Sequence, residues 1–360
     1  MVDLKTFTAA TQRNCHISDA RFAGQYTLCI FLLKMREYYR WERGIPLTAP
    51  LPRDAVGAWL TTRERFWEEL EDLNFDPLPL QGRHYDPFDN TGINAVLNPL
   101  GYVYSGGIGL FHKPHFFLGK LMRSEQQDGI RFLVSGEEYA RDLVAPPAML
   151  LGDTVFIRTQ SLRRAIWERI EEWRQKQRND TPMARALARY GANTDADMES
   201  ALDRITRDEL ETVQLHETGE AQARRLLGGR WEVMLDSLPR SRAELLARAV
   251  RDHLADCLAT LPALTTRAAA KHDAALHFYF ANFTGLRQEL FPAALTAYQH
   301  WVDSGSLASL EYIYRHGAQH WQHTAQQILQ HFSEQPETLA KNIETLCSPL
   351  NTPPPHDEPE

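Results

Sequence analysis

The chain has 360 residues, of which 43% are hydrophobic and 24% are charged, and its formal net charge at pH 7 is -8. This composition is typical of a folded globular protein and excludes wholesale disorder. The acidic balance leaves no general basic field for phosphates, so we expect no nucleic-acid partner. No apolar run approaches the roughly 20 residues that cross a bilayer, and the N-terminus lacks the apolar core of a secretory signal. We therefore expect a cytoplasmic protein, not associated with a membrane, whose four cysteines are reduced thiols.

Two helices are predicted near the N-terminus. Apolar residues recur at three- and four-residue steps from Ser18, a candidate N-cap, to about Trp41. Gly44 and Pro46 should end this helix. A second helix is predicted over residues 53–73, because apolar side chains recur there with helical spacing.

Strands are predicted between His84 and Arg158, where short β-branched and aromatic runs alternate with Gly, Pro, Asn and Asp. The runs 116–123 and 130–135 flank an Asp-Gly pair, a pattern that predicts a hairpin. Residues 154–158 form a further short run. We therefore predict a small antiparallel sheet at about 84–158.

The remainder of the chain is predicted to be helical. A helix is expected over about 161–178, and the first, α+β domain should end near residue 180. Residues 181–199 lack sustained periodicity and form a predicted linker with one short helical piece. Residues 200–335 form a predicted helical bundle whose helices end at Gly and Pro stops. The Pro-rich acidic segment 348–360 should be a disordered tail. The predicted fold class is thus mainly α.

Polar side chains on the predicted helix over 202–227 suggest a site. The apolar stripe of this helix also carries Glu209, His216 and Glu220, and Glu217 lies on the neighbouring line. A buried carboxylate costs several kcal/mol unless it meets a cation, a metal ion or strong hydrogen-bond donors. A His and a Glu four residues apart project together and can bind one ion. We therefore expect a metal site in the helical bundle.

Other helices could complete that site. His277 lies in an aromatic turn, His320 is adjacent to Trp321, and Asp252 and Asp256 are one turn apart on a third helix. The predicted set has four metal ligands and two catalytic acids or bases, namely His216, Glu220, His277, His320, Glu217 and Asp252. Mixed histidine and carboxylate ligands suit iron, manganese or zinc, and the pattern leaves the reaction open.

A structural interpretation competes with the metal site. The same acids could form interhelical salt bridges with Arg248, Arg251 or Arg287, and a buried histidine is often only a hydrogen-bonded core residue. The protein would then be a non-catalytic scaffold or regulator that recruits a protein partner or a second copy of itself.

The N-terminal half offers two further candidates. His112 and His115 follow a Gly-rich run and could bind a metal together with Asp86, although a Gly-rich turn packed on aromatic residues explains the same pattern. Cys15 would lie near the start of the predicted helix beside His16, and both features would lower the pKa of its thiol.

Three segments carry a resemblance to a known family. They are NCHISDAR at 14–21, LHETGE at 215–220 and HFYFANFTG at 277–285. Together they resemble an uncharacterised family of proteobacterial proteins, and the resemblance spans most of the chain. It implies no activity, ligand or catalytic residue.

Overall fold

The protein consists of two compact units, the first ending at Glu168 and the second beginning at Arg169. This computed structural model describes residues 3–109, 112–127, 129–176, 179–192, 194–239 and 241–351. The division falls inside one helix, whereas the sequence placed the end of the first domain near residue 180. Residues 352–360, most of the predicted disordered tail, lie outside the described residues.

The first unit combines helices with two sheets. Its helices are α1 Leu4–Phe22, α2 Leu28–Glu42, α3 Arg53–Glu68 and α4 Asn90–Leu97. Its strands are β1 Leu78–Leu80, β2 Arg83–Tyr85, β3 Tyr102–Ile108, β4 Pro114–Gln127, β5 Ile130–Arg141, β6 Ala148–Leu151 and β7 Thr154–Arg158. The predicted α+β character of this part is confirmed.

The N-terminal helices differ from the prediction. The helix predicted to begin at Ser18 is two helices, and α1 begins at Leu4, where the Asp3 carboxylate accepts a hydrogen bond from the Thr6 amide. Ser18 is not an N-cap, because it is buried within α1 and its hydroxyl donates to the carbonyl of Pro114. The second predicted helix is confirmed as α3, which begins at Arg53 as expected.

The sheets confirm the antiparallel prediction and extend it. β1 and β2 form a two-stranded antiparallel sheet, and the larger sheet has the order β3-β4-β5-β7-β6. β4 and β5 pair antiparallel as predicted, but both strands are longer than expected. β7 runs parallel to β5, so the larger sheet is mixed. Asp128 of the predicted turn lies outside the described residues.

The second unit is helical. Its helices are α5 Thr159–Lys176, which begins in the first unit, α6 Pro182–Arg189, α7 Met198–Leu227, α8 Arg230–Ser237, α9 Arg242–Ala255, α10 Leu261–Ala269, α11 Ala274–Ala281, α12 Leu286–Leu290, α13 Pro292–Ser304, α14 Ala308–Glu334 and α15 Leu339–Leu346. Their apolar faces enclose one core in which the large rings of Trp231 and Trp321 are fully buried. The predicted helical C-terminal part is confirmed.

A buried ion pair joins strands to the start of α5 in the first unit. Glu138 accepts two hydrogen bonds from the Arg158 guanidinium, at 3.1 and 2.6 Å, and two more from the amide and hydroxyl of Ser161. Burial alone would raise the pKa of Glu138, but the nearby guanidinium reverses this and holds it below its ordinary value. The carboxylate is therefore fully compensated.

We predict that Glu138→Ala lowers the free energy of unfolding by about 3 to 5 kcal/mol, because it leaves Arg158 buried without a counter-charge. Urea denaturation followed by circular dichroism measures this loss. The control is Glu125→Ala, whose Arg123 pair lies on the surface of β4. Such an exposed pair contributes at most about 1 kcal/mol, so equal losses in the two variants would contradict the assignment.

Candidate metal centre

The candidate centre lies on the middle of helix α7. Glu217 is only 8% exposed there, and the side chains of Glu220 and His216 are 14% and 29% exposed. The two acids are therefore largely withdrawn from water. The imidazole of His216 keeps partial access to solvent.

Gly219 lets a second helix approach this part of α7. A Cβ at Gly219 would overlap the carbonyl oxygen of Ala255, the last residue of α9. Any larger side chain would hold the two helices apart. The close approach places Asp252 of α9 opposite His216 and Glu220.

The chain departs from α-helical geometry directly after α9. Residues Asp256–Thr260 form a π-helical turn, and α10 begins at the next residue, Leu261. Pro262 is the second residue of α10, and a proline cannot donate the backbone hydrogen bond that would continue a regular helix. The helices of this part were predicted to end at Gly and Pro stops, and at Pro262 that prediction is wrong, because helical residues continue on both sides of it. Turns of this kind occur frequently at functional sites.

His216, Glu220 and Asp252 come together in the structure. One ligand atom from each residue lies within 4.8 Å of the others, and this is the one such group of three or more among the residues described. The Nε2 atom of His216 is 3.6 Å from Oε1 of Glu220, and a carboxylate oxygen of Asp252 lies within 4.8 Å of the ligand atoms of both. These donors could surround one ion.

Asp256 orients the imidazole from the other side. Its Oδ1 lies 2.9 Å from Nδ1 of His216, and its Oδ2 accepts hydrogen bonds from the Tyr279 hydroxyl and the Arg287 guanidinium. With Nδ1 donating to Asp256, the other ring nitrogen, Nε2, faces the Glu220 carboxylate. Histidines that bind metals usually have this arrangement, in which the second nitrogen donates to a carboxylate.

Burial and charge shift the pKa values of these groups in different directions. Burial alone would lower the pKa of His216, but the carboxylates of Asp256 and Glu220 outweigh it and raise that pKa well above its ordinary value. Burial raises the pKa of Asp252 to about 6, and burial with the neighbouring Glu220 charge raises the pKa of Glu217 to about 7. Glu220 is shifted down to a pKa of about 2, because Arg251 and His216 outweigh its burial. The cluster therefore holds acids of very different strength side by side.

Arginines also contact the cluster, as the structural interpretation predicted. The guanidinium of Arg251 lies 3.0 Å from Glu220 and 3.8 Å from Asp252, and Arg287 pairs with Asp256. Arg248 instead bonds Glu244 within α9. Part of the negative charge is thus already balanced by the protein.

His277 is not part of this group. It lies on α11, where its Nδ1 is 2.9 Å from the Tyr298 hydroxyl and its Nε2 is 3.8 Å from Asp273. Its ring packs on Trp301 and it is 5% exposed, so the predicted burial is present. The structure gives it the contacts of a hydrogen-bonded core histidine.

His320 is also outside the group. Its ring meets Trp321 edge-on, and its Nε2 lies 3.2 Å from the carbonyl oxygen of Ser348. α14 thus directs this imidazole toward the chain after α15. His277 and His320 remain ligands by prediction only, and the structure does not bring either of them to His216.

The candidates in the first unit have other partners. The Nδ1 of His115 lies 2.9 Å from the buried carboxylate of Asp142, whereas Asp86 accepts a hydrogen bond from the Phe88 amide. Cys15 lies in the interior of α1, where its thiol donates to the Phe116 carbonyl. Burial raises the pKa of that thiol well above its ordinary value, so the expectation of an activated cysteine is wrong.

The hydrogen bond from Tyr279 to Asp256 was not predicted, whereas Arg287 was among the arginines proposed as salt-bridge partners. Tyr279 and Arg287 lie on α11 and α12, and no spacing along the chain relates them to Asp256. The close approach at Gly219 could have been predicted from the sequence. A glycine between His216 and Glu220 inside a long helix is unfavourable unless packing requires it.

Comparison with known proteins places the chain in a family. Residues 6–158 match the N-terminal domain, and residues 163–349 the C-terminal domain, of a "Family of unknown function (DUF6866)". The second match alone covers more than half of the chain. The chain belongs to this family. The two matches confirm the resemblance to an uncharacterised family. No curated protein and no solved structure matches the chain.

The helices were also compared with the length and polarity that a bilayer requires. In the part of the chain that the structure describes, no helix combines sufficient length with a sufficiently apolar sequence to cross a membrane.

We predict that Gly219→Ala destabilises the protein by about 1 to 3 kcal/mol, because the new methyl group overlaps the backbone of Ala255. The gain in helix propensity offsets only about 1 kcal/mol of this cost. Gly57→Ala in α3 is the control, since nothing lies within 4 Å of its added Cβ, and it should leave stability unchanged or raise it. Thermal denaturation compares them, and a stabilised Gly219→Ala would contradict the close approach.

A second prediction concerns pH. Burial lowers the pKa of His277 from 6.5 to about 4, so the unfolded chain binds this proton more tightly and stability falls as pH decreases through this range. Between pH 8 and pH 5 the loss from this residue is about 2 kcal/mol. In His277→Asn, whose amide can still bond Tyr298, the stability difference from wild type should shrink by that amount. A pH-independent difference in urea denaturation would refute this.

Proposed function

We propose that the helical unit binds one divalent metal ion through His216, Glu220 and Asp252 and that the protein is a metal-dependent enzyme. One observation supports this above all others. Asp256 holds Nδ1 of His216 at 2.9 Å, so that Nε2 faces the carboxylates contributed by α7 and α9.

The chemistry of the donors supports a transition metal. One imidazole nitrogen and two carboxylates form a mixed set that suits iron, manganese or zinc. Three protein ligands leave coordination positions for water or substrate, as catalytic metal sites require. The exposed fractions of His216 and Asp252, 29% and 35%, support access from solvent to those positions.

Glu217 supplies a second function in this proposal. It is buried one residue after His216 and interacts electrostatically with Glu220 and Arg251. A divalent ion acts as a Lewis acid that makes bound water more acidic, and a neighbouring carboxylate can accept the proton. We therefore propose that Glu217 accepts this proton and that the reaction involves activation of water.

The alternative is a non-catalytic protein whose buried charges only fix the packing of the helices. The pairs Arg251–Glu220 and Arg287–Asp256 favour it, since they balance two of the carboxylates without any ion. Buried ionic networks of this kind can specify a helix register without contributing much stability. The protein would then recruit a protein partner or a second copy of the chain.

Free thiols support a cytoplasmic location. Cys15, Cys257 and Cys347 are buried and Cys29 is exposed, and all four are unpaired. A reducing compartment keeps such thiols in this state.

We predict that the protein, purified without a histidine tag, contains close to one equivalent of a transition metal. His216→Ala should bind zinc or manganese at least about 100-fold more weakly, because it removes the nitrogen ligand, and Asp256→Asn about 10- to 100-fold more weakly, because it removes the carboxylate that orients the imidazole. Elemental analysis and calorimetric titration of the full chain measure both effects.

His323→Ala, which removes an exposed histidine of α14, is the matched control and should bind metal normally. A metal-free wild-type protein that does not bind zinc, manganese or iron would overturn the metal proposal and leave the structural network. Equal metal loss in His216→Ala and His323→Ala would show that any bound metal lies elsewhere.

A further inference from the structure

A pocket in the first unit has the form of a small-molecule site. Its volume is about 700 Å³, and it lies among α1, α2 and α3 with Tyr139 of β5 at one side. Sites for small organic ligands usually have volumes of about 300 to 1,000 Å³. All of its lining residues belong to the first unit, so it is separate from the candidate metal centre.

The pocket has a flat apolar side. Leu4, Trp41 and Tyr139 line it, and Tyr38 forms its buried floor. The rings of Tyr38 and Trp41 stack with centroids 5.4 Å apart and an angle of 23° between their planes. A planar apolar ligand could pack on this surface.

The charges around the pocket favour an anion. Lys5 and Arg63 line it together with one acid, Glu42, which already accepts hydrogen bonds from Arg63 and from the Trp59 indole. Behind the rings, the buried guanidinium of Arg141 lies 5.6 Å from the centroid of Tyr38 and 5.3 Å from that of Trp41. The charged side chains that line the pocket, two cations and one acid, therefore sum to one positive charge.

His16 provides the most specific feature. Burial and the nearby charge of Arg63 lower the pKa of His16 to about 3, so its ring is neutral and carries one N–H. Around its two nitrogens lie the indole N–H of Trp67 at 3.3 Å, the guanidinium of Arg63 at 3.3 Å and the amide nitrogen of Gln12 at 3.4 Å.

All three neighbours of His16 are hydrogen-bond donors. The amide of Gln12 cannot rotate to present its oxygen, because that oxygen accepts the Arg141 amide. Whichever ring nitrogen carries the proton, its N–H meets donors and no acceptor among the described residues. The ring N–H is therefore available to an acceptor that a ligand in the pocket would supply.

We propose that this pocket binds a small organic anion with a planar apolar body. Its oxyanion accepts hydrogen bonds from the His16 ring N–H and from Arg63, and its apolar body packs on Trp41 and Tyr139. A carboxylate supplies the acceptor that the His16 N–H lacks, and the cations that line the pocket balance its charge. This proposal does not depend on the metal centre.

The test uses 2-naphthoate as the anion and the uncharged 2-naphthamide as its comparison. Calorimetric titration of the full chain in the presence of EDTA should show one saturable site for the carboxylate, bound at least about tenfold more tightly than the amide, because charge-assisted hydrogen bonds are about twice as strong as neutral ones. EDTA removes any contribution from metal, so the outcome is independent of the proposed enzyme activity.

Variants locate the site. Arg63→Gln and His16→Phe should each weaken binding of 2-naphthoate at least about tenfold, since each removes a donor to the oxyanion. Arg13→Gln is the matched control on α1, because Arg13 pairs with Asp76 and does not line the pocket. Arg13→Gln should bind 2-naphthoate with the affinity of the wild type.

Ala9→Trp tests the same pocket without removing a donor, so the proposal stays testable if Arg63→Gln or His16→Phe fails to fold. Ala9 is exposed and lines the pocket, so a large side chain there fills the space without disturbing the core and should abolish binding. The proposal is overturned if 2-naphthoate shows no saturable binding up to about 10 mM. It is equally overturned if the amide binds as tightly as the acid, or if Arg63→Gln and Ala9→Trp bind like Arg13→Gln.

Discussion

The arrangement of the helical unit around its candidate centre depends on one buried carboxylate. Asp256 is 1% exposed, and a negative charge in that position costs several kcal/mol unless other groups compensate it. His216, Tyr279 and Arg287 do so from α7, α11 and α12. The same contacts that stabilise the charge also fix the orientation of the His216 ring. Structural and chemical roles are therefore inseparable at this residue, and removing Asp256 affects both.

Two unfavourable backbone features bring these groups together. A glycine inside a helix costs about 1 kcal/mol relative to alanine. A π-helical turn replaces the regular hydrogen bonds between residues four apart with bonds between residues five apart. Gly219 permits the contact between α7 and α9, and the π turn begins at Asp256 itself. Both irregularities occur where the acidic side chains of two helices meet.

The sequence predicted the parts of this centre that lie on one helix and missed those that depend on packing. His216, Glu217 and Glu220 follow from helical spacing alone, because residues three and four apart share a face. Asp252 was proposed from its own helix, but its pairing with Glu220 depends on the approach at Gly219. The strands of the first unit were found from their composition. The parallel pairing of β5 with β7, which makes the larger sheet mixed, was not predicted. It joins residues that are distant in sequence.

The two histidines of the proposed sites show how surroundings decide what an imidazole can bind. Burial opposes a charged ring at both positions. At His216 the neighbouring carboxylates overcome burial and raise the pKa, so the position attracts positive charge, whether a proton or a metal ion. At His16 the neighbouring charge is Arg63, which adds to the effect of burial and leaves a neutral ring among donors. That position therefore attracts an acceptor. In the two proposals one chain carries a cation site and an anion site, each with a histidine side chain, and the sign of the nearest charges distinguishes them.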